Sequence, residues 1–119
     1  MATILLRFRY SEAAFKGLVD NPTNRREAVR GVMAELGWDL VEAYFSTTNG
    51  GGVLLIKGDP EKTFLAEMVM MASGGFTSVE TETLITADEM LEYQKEAGRL
   101  TNRYDAPNRD EIDRMLLDE

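Results

Sequence analysis

Residues 38–56, WDLVEAYFSTTNGGGVLLI, contain two strand patterns joined by a glycine-rich turn. The turn is Asn49-Gly50-Gly51-Gly52, whose residue types readily adopt the backbone conformations of tight hairpins. The first pattern alternates, and we expect Val41, Ala43 and Phe45 to point inward and Leu40, Glu42 and Tyr44 outward. The second, Val53-Leu54-Leu55-Ile56, is apolar on both faces, which is typical of a central strand. The segment therefore predicts a β-hairpin whose second strand lies inside a sheet.

The residues before this hairpin predict one strand and two helical segments. Thr3 to Tyr10 alternates as a half-buried strand does, with Ile4, Leu6 and Phe8 on one face and Leu5, Arg7 and Arg9 on the other. A short helical stretch is expected from Ser11 through Phe15, which weakens at Gly17 and ends before Asn21-Pro22. A stronger helix follows, because apolar residues recur every three or four positions from Ala28 to Leu36, and Gly37 ends it.

The residues after the hairpin predict a helix, a strand and a second helix. Asp59 and Pro60 suit the cap and first position of a helix. The buried stripe that we expect for this helix consists of Phe64, Leu65, Met68, Val69 and Ala72. Residues 76–85 are rich in Thr and Val and predict the fourth strand. Residues 86–89, TADE, have capping-box spacing and predict a helix that reaches about Leu100. A polar break at residues 101–108 precedes a last amphipathic turn with Ile112, Met115 and Leu116.

The order β-α-β-β-α-β predicts a ferredoxin-like α+β fold. We expect a four-stranded mixed sheet with the helices on one face, since right-handed crossovers place both helices on the same side. The predicted domain spans residues 1–95, and residues 96–119 form a C-terminal helical extension. A chain of 119 residues has room for one such domain.

The charge and the residue composition restrict the function. Thirteen Lys and Arg residues against 21 Asp and Glu residues give a net charge of −8, which disfavours nucleic acid and anionic membranes as partners. The absence of Cys and His excludes disulfides, thiolate nucleophiles and His-based catalysis. We expect no cofactor and no metal site, because a metal would have only oxygen ligands available and the acidic C-terminal residues lack the spacing of a metal loop. Early charges argue against a signal peptide, and no apolar run is long enough to span a membrane, so a cytoplasmic protein of bacterial type is expected.

The side of the sheet that two helices leave uncovered is called the open face here. It is expected to carry several aliphatic side chains and a few charges, a surface too apolar to remain in water. Association of two copies through this face, with two-fold symmetry, is the simplest way to cover it. We therefore expect a homodimer or a larger homo-oligomer, and coverage by the segment from Ala87 onward is the alternative.

A series of short motifs runs through the chain. It comprises Tyr10-Ser11, Lys16-Gly17-Leu18, Pro22, Arg26, Leu36-Gly37, Tyr44, Thr47 and Thr81-Glu82-Thr83-Leu84. Over residues 3 to 95, this series resembles the GYD domain family of small bacterial and archaeal proteins. The resemblance implies a ferredoxin-like fold of the dimeric α/β-barrel kind, and no general activity is established for the family. The Gly, Tyr and Asp cluster of the family corresponds here to Asn49-Gly50-Gly51-Gly52, so any chemistry of that Tyr and Asp is absent.

Charged side chains on two neighbouring strands form the principal candidate site. Arg7 and Arg9 alternate on the first strand, and Glu80 and Glu82 alternate on the fourth. We expect all four to project from the open face, and the complete set of candidate ligand-binding residues is Arg7, Arg9, Glu42, Tyr44, Glu80 and Glu82. In one interpretation, arginine binds a carboxylate or phosphate and a desolvated glutamate acts as a base. The other, which we favour, is a lattice of ion pairs that sets strand or subunit pairing.

A second basic cluster lies at the start of the main helix. Arg25, Arg26 and Arg30 follow Asn24 there, and helix N-termini attract anions. The simpler interpretation is a solvated face on which Glu27 and Glu35 pair with these arginines.

Three functions remain open at this point. The first is a small oligomeric protein that binds a small organic or anionic ligand at the open face. The second is a cofactor-independent enzyme similar to the monooxygenases and isomerases of dimeric α/β-barrel fold, an analogy of fold alone. The third is an assembly module that uses the tail, residues 101–119, to bind a partner chain.

Overall fold

The structure is a computed structural model that describes residues 2–107. Its contacts divide the chain into two compact units, Met1–Leu84 and Ile85–Glu119. The predicted boundary between residues 95 and 96 falls inside the last helix of the structure. The predicted amphipathic turn with Ile112, Met115 and Leu116 lies outside the described residues.

Four strands and three α-helices make up the first unit. The strands are β1 (Ala2–Tyr10), β2 (Asp39–Phe45), β3 (Gly51–Gly58) and β4 (Phe76–Leu84). The helices are α1 (Glu12–Asp20), α2 (Arg25–Glu35) and α3 (Thr63–Ala72), and a short 3-10 turn at Pro60–Lys62 precedes α3. The second unit contains α4 (Ala87–Leu100) and a 3-10 turn at Thr101–Arg103. Helix α1 ends at Asp20, which confirms the predicted end before Asn21-Pro22. It continues through Gly17 without weakening, because Ser11 caps it and Lys16 pairs with Asp20 one turn later at 2.7 Å.

The strands form one sheet in the order β2-β3-β1-β4, which confirms the ferredoxin-like prediction. The expected mixed sheet was wrong, because all three strand pairs are antiparallel. Helices α1 and α2 connect β1 to β2, and α3 connects β3 to β4. In each case the two connected strands are parallel, and a third strand of opposite direction lies between them. Thus β3 lies between β1 and β2, and β1 lies between β3 and β4.

The hydrophobic core lies between one face of the sheet and helices α2 and α3. Its buried side chains come from alternate positions of the strands, together with Met33 of α2 and Ala66 of α3. The strand residues are Ile4, Leu6, Phe8, Leu40, Leu54 and Ile56. Trp38 completes this core, and its indole N–H donates to the carbonyl oxygen of Asp59 at 3.0 Å. These contacts place α2 and α3 on one face and leave the opposite face free of both.

A β-bulge on β2 reverses two of the sequence expectations. Leu40 lies opposite Ile56 and Glu42 lies opposite Leu55, so that Val41 is the additional residue between two paired positions. Leu40 is consequently buried in the core although it was predicted to face outward, and Val41 is exposed although it was predicted to face inward. The prediction was wrong at both positions because a bulge shifts the inside–outside alternation by one residue.

The predicted buried stripe of α3 was also wrong. Phe64, Leu65, Met68 and Val69 are exposed, and Ala66 is the residue of this helix that is buried. Helix α3 is apolar on nearly every side, so periodicity alone does not select its buried face. Small Ala66 meets the sheet instead, beside the Glu67 carboxylate, which accepts the backbone N–H and the hydroxyl of Thr81 at 3.1 and 3.0 Å.

Candidate functional site

The strand register brings most of the predicted site residues to the open face. Tyr44 lies opposite Val53, Val53 opposite Arg7, and Arg7 opposite Glu80, so the four form one row across the sheet. The alternate positions of β1, which are Ile4, Leu6 and Phe8, are buried in the core on the other face. Side-chain alternation therefore explains why the arginines of β1 share the open face with glutamates of β4.

Arg7 is paired with Glu82. Its guanidinium donates to the Glu82 carboxylate, although the residue directly opposite Arg7 is Glu80. The pair is therefore a diagonal one, and both side chains are about half exposed, at 54% and 45%. An exposed pair of this kind contributes about 0–1 kcal/mol to stability. Its main consequence is that Glu82 offsets the charge of Arg7.

Glu42 is held at the edge of the sheet by a helix of the other layer. Its carboxylate lies 3.2 Å from the guanidinium of Arg26 on α2 and also accepts the backbone N–H of Ala43 at 3.0 Å. The bulge at Val41 places Glu42 where this pairing is possible. Glu42 is thus separated from the other candidate residues by its contact with Arg26.

An open cleft of about 430 Å³ lies where Arg7, Arg9, Tyr44 and Glu80 meet. The hairpin loop and the neighbouring strands complete its lining with Phe8, Phe45, Ser46, Asn49, Gly52, Val53 and Ser78. Within residues 2–107, Arg9 and Glu80 have no ion-pair partner. Among the described residues, Arg9 is thus an unpaired cation of the cleft and Glu80 an unpaired carboxylate, beside hydroxyl, amide and aromatic groups.

Three polar residues of the cleft were missed by the sequence reasoning, namely Ser46, Asn49 and Ser78. Ser78 lies directly opposite Arg9, and its position two residues before Glu80 is the signal that would have identified it. The Ser46 hydroxyl accepts the backbone N–H groups of Thr48 and Asn49 at 3.1 and 3.2 Å, which shapes the loop. The Asn49 side-chain oxygen accepts from Gly51 N–H at 3.0 Å, so its NH₂ group is the part left to donate to a ligand.

The glycines of the hairpin allow the strands around the cleft to approach closely. A Cβ at Gly51 would lie 1.9 Å from the carbonyl oxygen of Phe8, and one at Gly52 would lie 2.2 Å from that of Tyr44. Both distances are far below van der Waals contact, so any side chain there would displace the neighbouring backbone. A tyrosine or aspartate at either position would require a different local backbone.

The backbone donors and the arginine side chains at the start of α2 are used to different extents. The Asn24 side chain accepts the backbone N–H groups of Arg26 and Glu27 at 3.1 and 3.4 Å, so these two backbone donors are not available to an anion. Arg26 pairs with Glu42 at 3.2 Å, and Arg30 lies 3.7 Å from Glu27. Arg26 and Arg30 therefore belong to the ion pairs of α2, whereas Arg25 has no ion pair within residues 2–107, and the Nε atoms of Arg25 and Arg26 are buried without a hydrogen-bond partner there.

The described residues contain neither a cluster of metal ligands nor a helix suited to a membrane. No cluster of three or more Asp or Glu side chains in residues 2–107 is arranged to hold a metal ion. Among the helices of that range, none combines the length and the apolar character needed to cross a membrane.

Comparison with known proteins identifies the family. Residues 5–93 match the family profile described as GYD domain, which covers most of the chain. The chain belongs to the GYD domain family. The match agrees with the span of the motif resemblance to within two residues at each end. Neither the curated proteins nor the solved structures contain a significant match to this GYD domain protein.

Proposed function

We propose that this GYD domain protein is a homodimer that binds a small organic anion in the cleft on its open face. The observation that carries the proposal is Arg9, a cleft-lining cation without an ion-pair partner in residues 2–107. Arg7, the neighbouring cation, is offset by Glu82, so that Arg9 is the group available for an added negative charge.

The lining of the cleft supports a small organic anion as the ligand. A guanidinium binds carboxylate or phosphate through two parallel hydrogen bonds. Ser78, opposite Arg9, and the NH₂ group of Asn49 add neutral donors on the same side. Tyr44 and Val53 supply apolar surface for a carbon skeleton. A volume of about 430 Å³ lies within the range of small-molecule sites, which favours a compact aromatic or aliphatic acid.

A second copy of the chain is the proposed cover of the open face. Leu5, Val53 and Leu55 are only half-buried there, and Tyr44 is 60% exposed. The arginines lie on β1 and the glutamates on the neighbouring edge strand β4. A two-fold axis would therefore bring the basic strand of one copy toward the acidic strand of the other. The second sheet would also exclude water from the cleft, which strengthens the attraction between Arg9 and an anion.

The geometry favours binding over catalysis by a carboxylate. Glu80, the glutamate of the cleft, is exposed in the single chain. Catalysis by such a group depends on an enclosed pocket that desolvates it. The cleft within the first unit is open, so its arrangement supports recognition of an anion more directly than proton transfer.

The test is a calorimetric titration of the full chain with sodium benzoate and with inorganic phosphate as probes. We expect saturable binding of at least one probe and a loss of about 10- to 150-fold in affinity for Arg9→Gln, since a hydrogen bond to a charged group contributes about 1.5–3 kcal/mol. Arg30→Gln is the matched control, because Arg30 lies on α2 and pairs with Glu27. Equal affinity of Arg9→Gln and the wild type, or no saturable binding of either probe, would contradict the proposal. Light scattering tests the dimer separately, and a monomer would refute that part.

A further inference from the structure

A groove of about 250 Å³ lies where helix α1, the end of β1 and the start of α2 meet. We call it the Arg25 groove, and it shares no lining residue with the cleft beside Arg9. It is lined by Arg25 together with Tyr10, Ala14, Gly17, Leu18, Asn21 and Thr23. The groove therefore combines one cation and several neutral polar groups with a small apolar wall.

Arg25 brings an unpaired positive charge to this groove. It forms no ion pair within residues 2–107, and the hydrogen bond that it makes there is a long one, from its Nη1 atom to the Thr23 hydroxyl oxygen at 3.5 Å. Its Nε atom is buried without a partner, and the residue as a whole is only partly exposed. A charged group withdrawn from water without a partner raises the free energy of the protein. An anion at the terminal amino groups of the guanidinium would supply a partner of opposite charge.

Neutral side chains of the groove add further hydrogen-bond donors. Within residues 2–107, no acceptor is bound to the hydroxyl of Tyr10, the NH₂ group of Asn21 or the hydroxyl hydrogen of Thr23. The ring of Tyr10 is also held in place, because it stacks on Phe76 at 5.5 Å and meets the edge of Phe8 at 5.2 Å. A donor that is already fixed loses little freedom when a ligand binds.

Gly17 leaves space in the wall of the groove. It lies inside α1, where glycine is less stable than alanine. A Cβ at this position would meet nothing within 4 Å, and the backbone of Gly17 has no positive φ. Neither packing nor backbone conformation therefore requires glycine here. Its effect is to keep the groove wide beside the apolar side chains of Ala14 and Leu18.

We propose that the Arg25 groove is a second anion site, and that its ligand is a short aliphatic monocarboxylate. The two oxygens of a carboxylate match the planar guanidinium. One cation balances one negative charge, and the net charge of −8 opposes a phosphate dianion. Ala14 and Leu18 offer apolar surface to a few methylene groups, and the groove is smaller than the cleft. The site does not depend on whether the cleft binds a ligand.

An NMR titration of the ¹⁵N-labelled full chain with sodium butyrate, at constant ionic strength, tests the proposal. We expect saturable shifts of the amide signals of Ala14 and Leu18, and none with butyramide, which has a similar shape but no charge. Arg25→Gln is expected to weaken binding about 10- to 150-fold, because it removes hydrogen bonds to a charged group. Arg30→Gln is the control and is expected to bind as the wild type does, because Arg30 pairs with Glu27.

A second variant, Gly17→Leu, blocks the groove without removing a charge. Leucine is a better helix former than glycine, so α1 is expected to remain folded while the new side chain occupies the groove. The saturable shifts with butyrate are therefore expected to disappear. Gly31→Leu is the matched control, since Gly31 is an exposed residue of α2 where a Cβ would also meet nothing within 4 Å. This control is expected to retain the shifts.

Three results would overturn the proposal. They are the absence of saturable shifts at Ala14 and Leu18, equal affinity of Arg25→Gln and the wild type, and tighter binding of inorganic phosphate than of butyrate. Each can be read from the same series of amide spectra.

The spectra also separate the two anion sites. The cleft is followed through the amide signals of Ser46 and Ser78, which line it. Shifts at these residues that disappear in Arg9→Gln report on the cleft, whereas the shifts of Ala14 and Leu18 are expected to persist in that variant. Failure of the cleft and failure of the Arg25 groove are thereby distinguished.

Discussion

Glu67 provides a sharp test of how α3 is attached to the sheet. Its carboxylate accepts two hydrogen bonds from Thr81, one from the backbone N–H and one from the hydroxyl. β4 is an edge strand, and alternate N–H groups of such a strand point away from the sheet. The Glu67 carboxylate therefore satisfies a backbone donor that otherwise has no partner on that edge.

We expect Glu67→Ala to lower the free energy of unfolding by about 2–3 kcal/mol, because it removes a charged acceptor and leaves a partly buried N–H unsatisfied. Glu67→Gln retains a neutral acceptor and is expected to cost about 1 kcal/mol. Thr81→Val removes the hydroxyl but not the N–H, and it is also expected to cost about 1 kcal/mol. The measurement is urea denaturation of the full chain followed by circular dichroism, with the double variant included to give the coupling energy.

Glu61→Ala is the control, since Glu61 is an exposed residue of the turn before α3. It is expected to change stability by less than about 0.5 kcal/mol. If Glu67→Ala were no more destabilising than Glu61→Ala, or if Glu67 and Thr81 showed no coupling, the described attachment of α3 would be refuted.

Three further predictions concern the core, the hairpin and a helix cap. Trp38→Phe is expected to cost about 1–3 kcal/mol, because the carbonyl of Asp59 loses the indole donor at 3.0 Å, and urea denaturation measures it. Gly52→Ala is expected to cost at least about 2 kcal/mol and to speed amide exchange in β2, because its Cβ would lie 2.2 Å from the carbonyl oxygen of Tyr44. Asn24→Ala is expected to lower the free energy of unfolding by about 1 kcal/mol, since it removes the side-chain cap of α2. Calorimetry of thermal unfolding measures this change.

Each of these predictions has a distinct contrary result. Wild-type stability of Trp38→Phe would mean that the indole hydrogen bond is not formed. Unchanged amide exchange in Gly52→Ala would show that the hairpin strands are further apart than described. For the cap, Asn24→Ser retains a side-chain acceptor and is expected to recover most of the loss, so equal losses in the two variants would contradict the capping role.

The sheet could be predicted from the sequence because its signals are local. Strand alternation has a period of two, and the turn at Asn49-Gly50-Gly51-Gly52 fixes which strands form the hairpin. Once the ferredoxin-like order is assumed, the same alternation places Arg7 and Arg9 on one face and Glu80 and Glu82 beside them. The sequence was therefore sufficient to predict which charged residues lie on the open face.

The features that were missed depend on contacts between distant residues. The bulge at Val41 leaves the alternation of residue types unbroken, so nothing in the sequence of β2 reveals that Leu40 faces the core. The buried face of α3 is chosen by the fit of Ala66 and by the hydrogen bonds between Glu67 and Thr81, and the largest apolar residues of the helix are not involved.

The sequence likewise does not predict which charged side chains of the open face form ion pairs. Arg7 pairs diagonally with Glu82 rather than with the directly opposed Glu80, and Arg26 reaches Glu42 from the helix layer. Both contacts depend on the register and on the bulge. Arg9, on which the proposed anion site depends, has no ion-pair partner among residues 2–107, and the sequence did not predict this either.

Native mass spectrometry of the full chain, purified without added ligand, tests whether a dimer holds an anion beside Arg9. We expect a species at twice the chain mass of 13.3 kDa that retains a small anionic adduct in the wild type and loses it in Arg9→Gln. Arg30→Gln should retain the adduct, as the wild type does. A wild-type protein without any adduct, or an adduct held equally by Arg9→Gln, would contradict the claim that the cleft beside Arg9 binds a small organic anion.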